Sequence, residues 1–501
     1  MKSLPLIVAM QMQIGIAAGN AAAADAPPPA QDASHWQAMA QADLDAVHAI
    51  VLSSHPGAID EQNPDFRIWM EQGYREAKGL LPRARNYDDM LSVVRFYVIG
   101  FEDGHLHYSD HARNDKSVTT LGWSLSLAGT EYRVAAAASE WPGALPPPGA
   151  KLLECDGRSA DSILDTDIAP FVDRRKLPGL RAKLAEAFVI QPLSGAELEQ
   201  CRFATAAGEK LSIPVLYREM PLEEAIPFAH PADRASHREN SFTFENGVLW
   251  ISAPDFALSK DEADSLEAML KRVRALKNVR AIVFDARGNG GGDSSVGDRI
   301  FESATGGLDF GRRNLERLPK TTAQWRVSDL SIATVSQTHQ SAVELYGAQG
   351  EESKWSRALL DELKAARAAG RSWVEQPGGG GYRIDRAEMA RRHGRLAKFR
   401  GKVLLVTDSA CASACLDFAD EIRLVPGSVH VGEPTSADAV YIDTGWSPMP
   451  SGNPLVMPLK VWRNRLRGNN EVLQPDVPLG VPIDDDAKVR AATLEVLEKT
   501  H

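Results

Sequence analysis

The feature that most constrains this 501-residue chain is a strand–turn–helix signature between Leu404 and Thr435. Val403-Leu404-Leu405-Val406 is a short apolar run of the kind that forms a buried strand. A turn of Thr407, Asp408 and Ser409 follows, then small residues around one serine, Cys411-Ala412-Ser413-Ala414-Cys415. From there the period becomes helical, with Cys415, Leu416, Ala419 and Ile422 on one side and Asp417, Asp420 and Glu421 on the other. Ser413 is therefore expected at a helix N-terminus, among free backbone N–H groups and at the positive end of the macrodipole. A serine in that place ordinarily caps the helix. It acts as a nucleophile only where the chain also supplies a base and donors for a developing oxyanion.

Two other stretches carry that chemistry. The buried run Ala281-Ile282-Val283-Phe284 leads into Asp285-Ala286-Arg287-Gly288-Asn289-Gly290-Gly291-Gly292-Asp293. This loop lacks GxGxxG spacing and a Walker lysine, which argues against nucleotide binding. Consecutive glycines also let backbone N–H groups converge with no side chain in the way. Among the histidines, His105 has an unusual setting, Asp103-Gly104-His105, where the glycine permits a sharp turn. His107 would share a face with it in extended chain and is a second candidate base. For an acid that orients the base, Glu471, Asp476 and Glu433 are the candidates.

A formal net charge of -11 and the lack of any basic block exclude general nucleic-acid binding. The N-terminus has the layout of an export signal: Met1-Lys2, an apolar stretch from Leu4 to Ala18, and small residues at Ala21-Ala22-Ala23-Ala24. Gln11 and Gln13 break the apolar stretch, which is too short for a bilayer span, so no stable membrane insertion is expected. The expected location is periplasmic or extracellular, where four cysteines can pair. Cys155–Cys201 with Cys411–Cys415 is the favoured pairing; four buried free thiols is the alternative, because spacing does not determine connectivity.

The pattern divides the chain into a signal peptide (1–24), an N-terminal helical domain (35–117), a β-rich module (118–220), and an α/β core in two parts. The core parts are 240–304 and 399–501, separated by a helical insertion over 305–398 that contains Gly378-Gly379-Gly380-Gly381.

Taken in order, the motifs Asp285 to Gly292, Cys411 to Cys415, Gly432-Glu433-Pro434-Thr435 and Pro475-Asp476-Val477 resemble the tail-specific, or C-terminal-processing, serine protease family. The resemblance implies an α/β fold with a split crotonase-like (ββα) protease core, the helical domain, and a PDZ-like module over 118–220. The best-known branch uses a lysine a few residues after Gly-Glu-Pro-Thr, and here Asp438 stands at that place. An aspartate cannot substitute for a neutral amine as base. A second branch, similar to the tricorn core and a chlamydial secreted protease, draws a histidine from an Asp-Gly-His-like motif and a glutamate after the serine. That likeness implies a triad of Ser413, His105 and Glu471, an oxyanion hole of the Gly290, Gly291 and Ala414 amides, and a polypeptide substrate. It implies no metal and no cofactor, and it leaves oligomeric state open. Lys460 is the alternative base. A second reading is a catalytically inactive binding or scaffold protein on the same fold. An esterase is disfavoured because Ala412 and Ala414 replace the glycines of a Gly-x-Ser-x-Gly elbow.

The export signature predicts that the secreted chain starts close to residue 25. Mass spectrometry of its N-terminus checks this, and an intact Met1 on exported protein would refute it.

Overall fold

The computed structural model describes residues 32–112, 117–188, 197–221, 223–225, 239–306, 321–377, 399 and 401–499. The expected signal peptide and the Gly378–Gly381 run lie outside the described residues.

The N-terminal region holds α1 (Ala33–Ser54), α2 (Pro64–Leu80), α3 (Tyr87–Ile99) and the short β1 (His107–Tyr108). The next region holds β2 (Ser117–Thr120), β3 (Trp123–Ala128), β4 (Glu131–Ala137), β5 (Lys151–Cys155), α4 (Leu180–Ala187), β6 (Gln200–Ala204), β7 (Lys210–Pro214) and β8 (Arg218–Pro221). Then come β9 (Ser241–Glu245), β10 (Val248–Ser252), α5 (Lys260–Ala275), β11 (Ala281–Asp285) and α6 (Ser294–Thr305). After these the chain forms β12 (Thr322–Arg326), α7 (Asp329–Tyr346), α8 (Glu351–Ala368) and β13 (Trp373–Glu375). It ends with β14 (Lys402–Thr407), α9 (Ala414–Arg423), β15 (Val429–Gly432), β16 (Tyr441–Pro448), β17 (Pro454–Arg463), β18 (Val477–Pro478) and α10 (Asp486–Lys499).

Both apolar runs singled out in the sequence become central strands of one six-stranded sheet, in the order β18-β15-β14-β11-β10-β9. All pairs are parallel except β9 with β10. Such strands are buried on both faces, which is why they read as continuous apolar runs rather than alternating ones. Alternate side chains then serve two cores. Ile282, Phe284, Val403 and Leu405 pack with Leu266 and Leu270 of α5, Ile300 and Phe301 of α6, and Leu416 and Phe418 of α9. Ala281, Val283, Leu404 and Val406 pack on the other side with Val489 and Leu497 of α10. Full burial of one such Leu, Ile, Val or Phe side chain contributes about 1.5–3 kcal/mol. Ser259 starts α5 with a capping box: its hydroxyl accepts from the Glu262 N–H, and the Glu262 carboxylate accepts from the Ser259 N–H.

The segment over 305–398 differs from the expected helical insertion. Its described part includes α7 and α8, but it also supplies β12 and β13 to a second, five-stranded sheet. In that sheet β17 pairs with β1, β12 and β16. The N-terminal helices are not a separate body either. Leu44, Val47 and Val94 share one core with Leu455, Met457, Val461, Val335 and Leu359. Helical periodicity is visible locally, whereas a three-residue strand such as β13 acquires meaning only through its partner.

The β-rich region is a five-stranded antiparallel sheet in sequence order, β3 to β7, with α4 against it. Cys155 and Cys201 stand directly opposite each other across β5 and β6 and are joined as a disulfide. This region also touches the loop that follows β14: a Cβ at Gly179 would lie 2.3 Å from that of Ser409. No helix among the described residues is long and apolar enough to cross a membrane.

Helices α6 and α9 pack together, and the Asp298 carboxyl on α6 is pushed up to about 7, first by burial and then by Asp417, Glu302 and Asp293. The folded state thus keeps a proton that the unfolded chain releases at the ordinary aspartate value. Stability from this group is complete at low pH and declines as pH rises through about 4 to 7. Asp298→Asn is expected to raise the thermal midpoint by a few degrees at pH 8 and to leave it near wild type at pH 4. Equal shifts at both values would contradict the assignment.

Candidate active site

β11 and β14 are neighbours in register, with Phe284 opposite Leu405 and Asp285 opposite Val406. Being parallel, they deliver the glycine loop and the Ser413 loop to the same edge of the sheet. The carboxyl end of parallel strands is where open α/β sheets bind ligands.

Ser413 stands at the N-terminus of α9, as the change of period predicts, but it does not cap the helix. Its backbone has φ 53° and ψ -121°, outside the regions comfortable for a residue with a Cβ. Such strain persists only where the surroundings over-determine it. Here a Cys411–Cys415 disulfide closes the loop around the serine, and both cysteines are fully buried. The Ala412 N–H donates to the Asn289 carbonyl at 3.1 Å, and the Ser436 N–H donates to the Cys411 carbonyl at 3.1 Å.

The glycine loop is pinned from below. Buried Arg287 makes a two-pronged pair with Asp285, at 2.8 and 2.6 Å, and donates to the Ile483 carbonyl at 2.7 Å. Buried Asn289 donates to the Ala253 carbonyl at 2.6 Å and accepts from the Gly291 N–H at 2.9 Å. Gly291 has φ 104°, and a Cβ there would lie 2.7 Å from the Ser413 Cβ, so only glycine fits. Its amide, assigned above to an oxyanion hole, is committed to Asn289 instead. Among the described residues the Gly290 and Ala414 N–H groups have no acceptor within the chain.

His105 arrives from the opposite half of the molecule. β1 pairs with β17, with His107 opposite Val456 and Tyr108 opposite Leu455. The His105 ring just before β1 sits with Nε2 3.4 Å from Ser413 Oγ. His107 is spent on the strand, and its side chain is exposed. His105 and Ser413 lie 308 positions apart in sequence.

Residues 247–479 match peptidase family S41. The chain carries an S41 peptidase domain. S41 peptidases are serine-type hydrolases, so the family supports a serine protease acting on polypeptides. The fold is shared with mature CPAF complexed with lactacystin, at 12% identity and a TM-score of 0.57, over 93% of this chain and 97% of that one. A second structure of mature CPAF matches at 11% identity and 0.54, over 93% and 96%. No curated protein matches the sequence.

The S41 domain has its own arrangement where the lysine of the best-known branch is expected. Asp438 is buried and ion-paired with Arg465 at 3.0 Å and with Arg467 at 3.7 Å. Buried Arg467 also binds Asp420 and Asp417 on α9, so this network ties the serine helix to the 465–470 loop. Arg467 is held above the usual guanidinium range: burial opposes the charge, and Asp417, Asp438 and Asp420 outweigh it. Lys460 lies in β17, fully buried, with Nζ 2.5 Å from Asp443 and 3.2 Å from Gln376 Oε1.

The candidate acids separate by role. The Asp476 carboxylate accepts from the His430 N–H at 2.8 Å and helps set β15 against β18. Glu433 is raised by burial, then by Asp408 and Asp484. Glu471 is exposed, and its carboxylate accepts from the Gly468 N–H at 2.6 Å. Its neighbour Asn470 donates to the Glu102 carbonyl at 2.7 Å, so the loop abuts the Asp103–His105 turn. No hydrogen bond joins Glu471 to His105, whose Nδ1 is buried without a partner among the described residues. Nor is any His, Cys, Asp or Glu cluster among them disposed to hold a metal ion.

Sequence reasoning overlooked Asn289, whose signal was available: it is the one amide side chain within the glycine loop. Asn289→Ala is expected to cost about 1–3 kcal/mol, because buried partners lose their bonds, and to slow Ser413 chemistry. Denaturant titration and active-site labelling check the two effects; a stable, fully active variant would show that Asn289 does not join the loops.

Proposed function

We propose that the protein is an exported serine endopeptidase in which Ser413 is the nucleophile and His105 the general base. The observation that carries this reading is the 3.4 Å approach of His105 Nε2 to a Ser413 hydroxyl that is not used as a cap. That distance is within the looser range typical of a site without substrate.

Ser413 Oγ attacks the scissile carbonyl carbon while His105 Nε2 takes its proton. The carbonyl oxygen becomes an oxyanion and accepts from the Gly290 and Ala414 N–H groups, with Ala414 at the positive end of α9. Collapse expels the amine, which takes the proton from His105 and leaves an acyl-Ser413. Water, deprotonated by the same imidazole, then releases the acid. Glu471 completes the expected triad only by leaving the Gly468 N–H.

The mostly parallel six-stranded sheet with its crossover helices supports a split crotonase-like core, and the β3–β7 sheet with α4 supports a PDZ-like module that would capture an extended peptide. All four cysteines pair, which supports an oxidising compartment. Asp438 at the expected place of a lysine base favours the alternative reading as an inactive binding or scaffold protein. With His105 beside Ser413, that lysine's absence removes no base.

A fluorophosphonate probe is expected to label folded wild-type protein. Labelling should vanish in Ser413→Ala and fall by about 10²–10⁴-fold in His105→Ala. Folded wild type that resists the probe would sink the proposal.

A further inference from the structure

The His105 ring needs a partner at Nδ1, and the expected Glu471 does not reach it. The nearest carboxylate is closer in sequence. Asp103 Oδ1 accepts from the His105 backbone N–H at 2.9 Å, a local turn that sets the direction of the following residue. The same oxygen lies 3.9 Å from His105 Nδ1. This is beyond a hydrogen bond but well within reach of the charge. Asp103 is buried, with a side chain only 2% exposed, so its charge is weakly screened.

The other oxygen, Oδ2, is held 3.2 Å from His55 Nε2. His55 is fully buried, stacked on Phe66 at 4.4 Å and edge-on to Tyr441. Its tautomer is dictated by the chain. The Gly57 N–H donates to His55 Nδ1 at 2.9 Å, so the ring hydrogen must reside on Nε2, facing Asp103. His55 thereby satisfies the carboxylate without carrying a charge. Burial pushes His55 toward the neutral form, against the pull of Asp103 and Asp60. Burial also resists ionisation of Asp103, but the hydrogen bond from His55, with the His105 ring and its backbone N–H beside it, holds it below the usual aspartate range. The site therefore contains a buried anion whose uncharged anchor leaves the negative charge free to act on His105.

We infer that Asp103, anchored by His55, is the positioning residue that aligns His105 and stabilises its imidazolium, with Glu471 secondary. This rests on the Ser413–His105 reading. Proton uptake at His105 Nε2 creates a cation, and Asp103 is the fixed counter-charge it meets. The other charged or titratable groups acting on this cluster are His107, Lys183 and Arg175 around His105 and Asp103, and Asp60 and Tyr441 beside His55. The Arg175 guanidinium is already paired with Asp173 and donates to the Ala437 carbonyl.

The test measures the rate of fluorophosphonate labelling of full-length protein across pH for wild type, Asp103→Asn, His55→Phe, Glu471→Gln and Ser413→Ala. Asparagine retains an acceptor for the His105 N–H but removes the charge. Its labelling rate is expected to fall about 10²-fold, less than the ~10⁴-fold seen when a directly bonded triad acid is neutralised. The acidic limb of its pH–rate profile should move down by roughly one unit, since the cation has lost its counter-charge. A merely structural defect would lower the rate without moving that limb. His55→Phe keeps the stacking on Phe66 and drops the anchor. It should show the same directions at smaller size, and it serves as the test if Asp103→Asn does not fold. An unmoved limb and a rate within twofold of wild type in both variants would overturn the inference, as would a larger loss in Glu471→Gln than in Asp103→Asn. If wild type fails to label, or Ser413→Ala labels equally, the underlying serine reading fails and this inference with it. Ser413-dependent labelling that is indifferent to Asp103 defeats this inference alone.

Discussion

The parallel pairing of β11 with β14 is the constraint on which the rest of the site depends. Two strands that run side by side in one direction end at the same edge, and here each ends in a loop with chemistry. One loop carries the glycines and the other carries Ser413. More than a hundred residues separate the two strands in sequence, and among the described residues the crossover between them includes α6, β12, α7, α8 and β13. The pairing survives that long connection because both strands are buried on both faces and serve two hydrophobic cores at once. Lengthening a connection costs closure entropy only slowly, whereas exposing either strand would forfeit many buried side chains.

A second convergence brings the base. The N-terminal helices share a core with the second sheet, and β1 adds two residues to the edge of β17. That short pairing is enough to fix the chain just ahead of it, because Asp103 and Leu106 are buried on either side of His105. The Ser413–His105 pair thus straddles two sheets: the serine belongs to the mostly parallel one and the histidine to the antiparallel one. Neither half contains a complete site.

Irregular loops at such a junction need reasons to remain in one conformation, and this chain supplies charged and covalent ones. Arg287 with Asp285 sits beneath the glycine loop, Arg467 with Asp417, Asp420 and Asp438 flanks the serine helix, and the Cys411–Cys415 disulfide closes the loop between them. Buried ion pairs gain little net stability over apolar packing, yet breaking one partner leaves an uncompensated charge, at about 3–5 kcal/mol. They penalise alternative loop conformations more than they add to total stability. Asp438 is one of these struts.

Much of this architecture is legible in the sequence. Continuous apolar runs announce buried parallel strands, the change of period at Cys415 announces a helix behind Ser413, and the ordered motifs point to the tail-specific proteases. Those signals are local, because each depends on side-chain spacing along one element. The strained φ of Ser413, the commitment of the Gly291 amide to Asn289, and the strand identity of Thr322–Arg326 and Trp373–Glu375 are not legible there. Each depends on an atom contributed from elsewhere in the chain. The candidate acid is the clearest case. Sequence order recommends Glu471, while geometry sets Glu471 against Gly468 and puts Asp103 nearest the imidazole. By itself the sequence determined the strands, the helix behind Ser413 and the family resemblance, since hydrophobic period and motif spacing are properties of the linear chain. Only the tertiary structure decided which histidine meets Ser413 and which groups surround it, because hydrogen bonds and ion pairs act over a few ångströms of space and are indifferent to distance along the sequence.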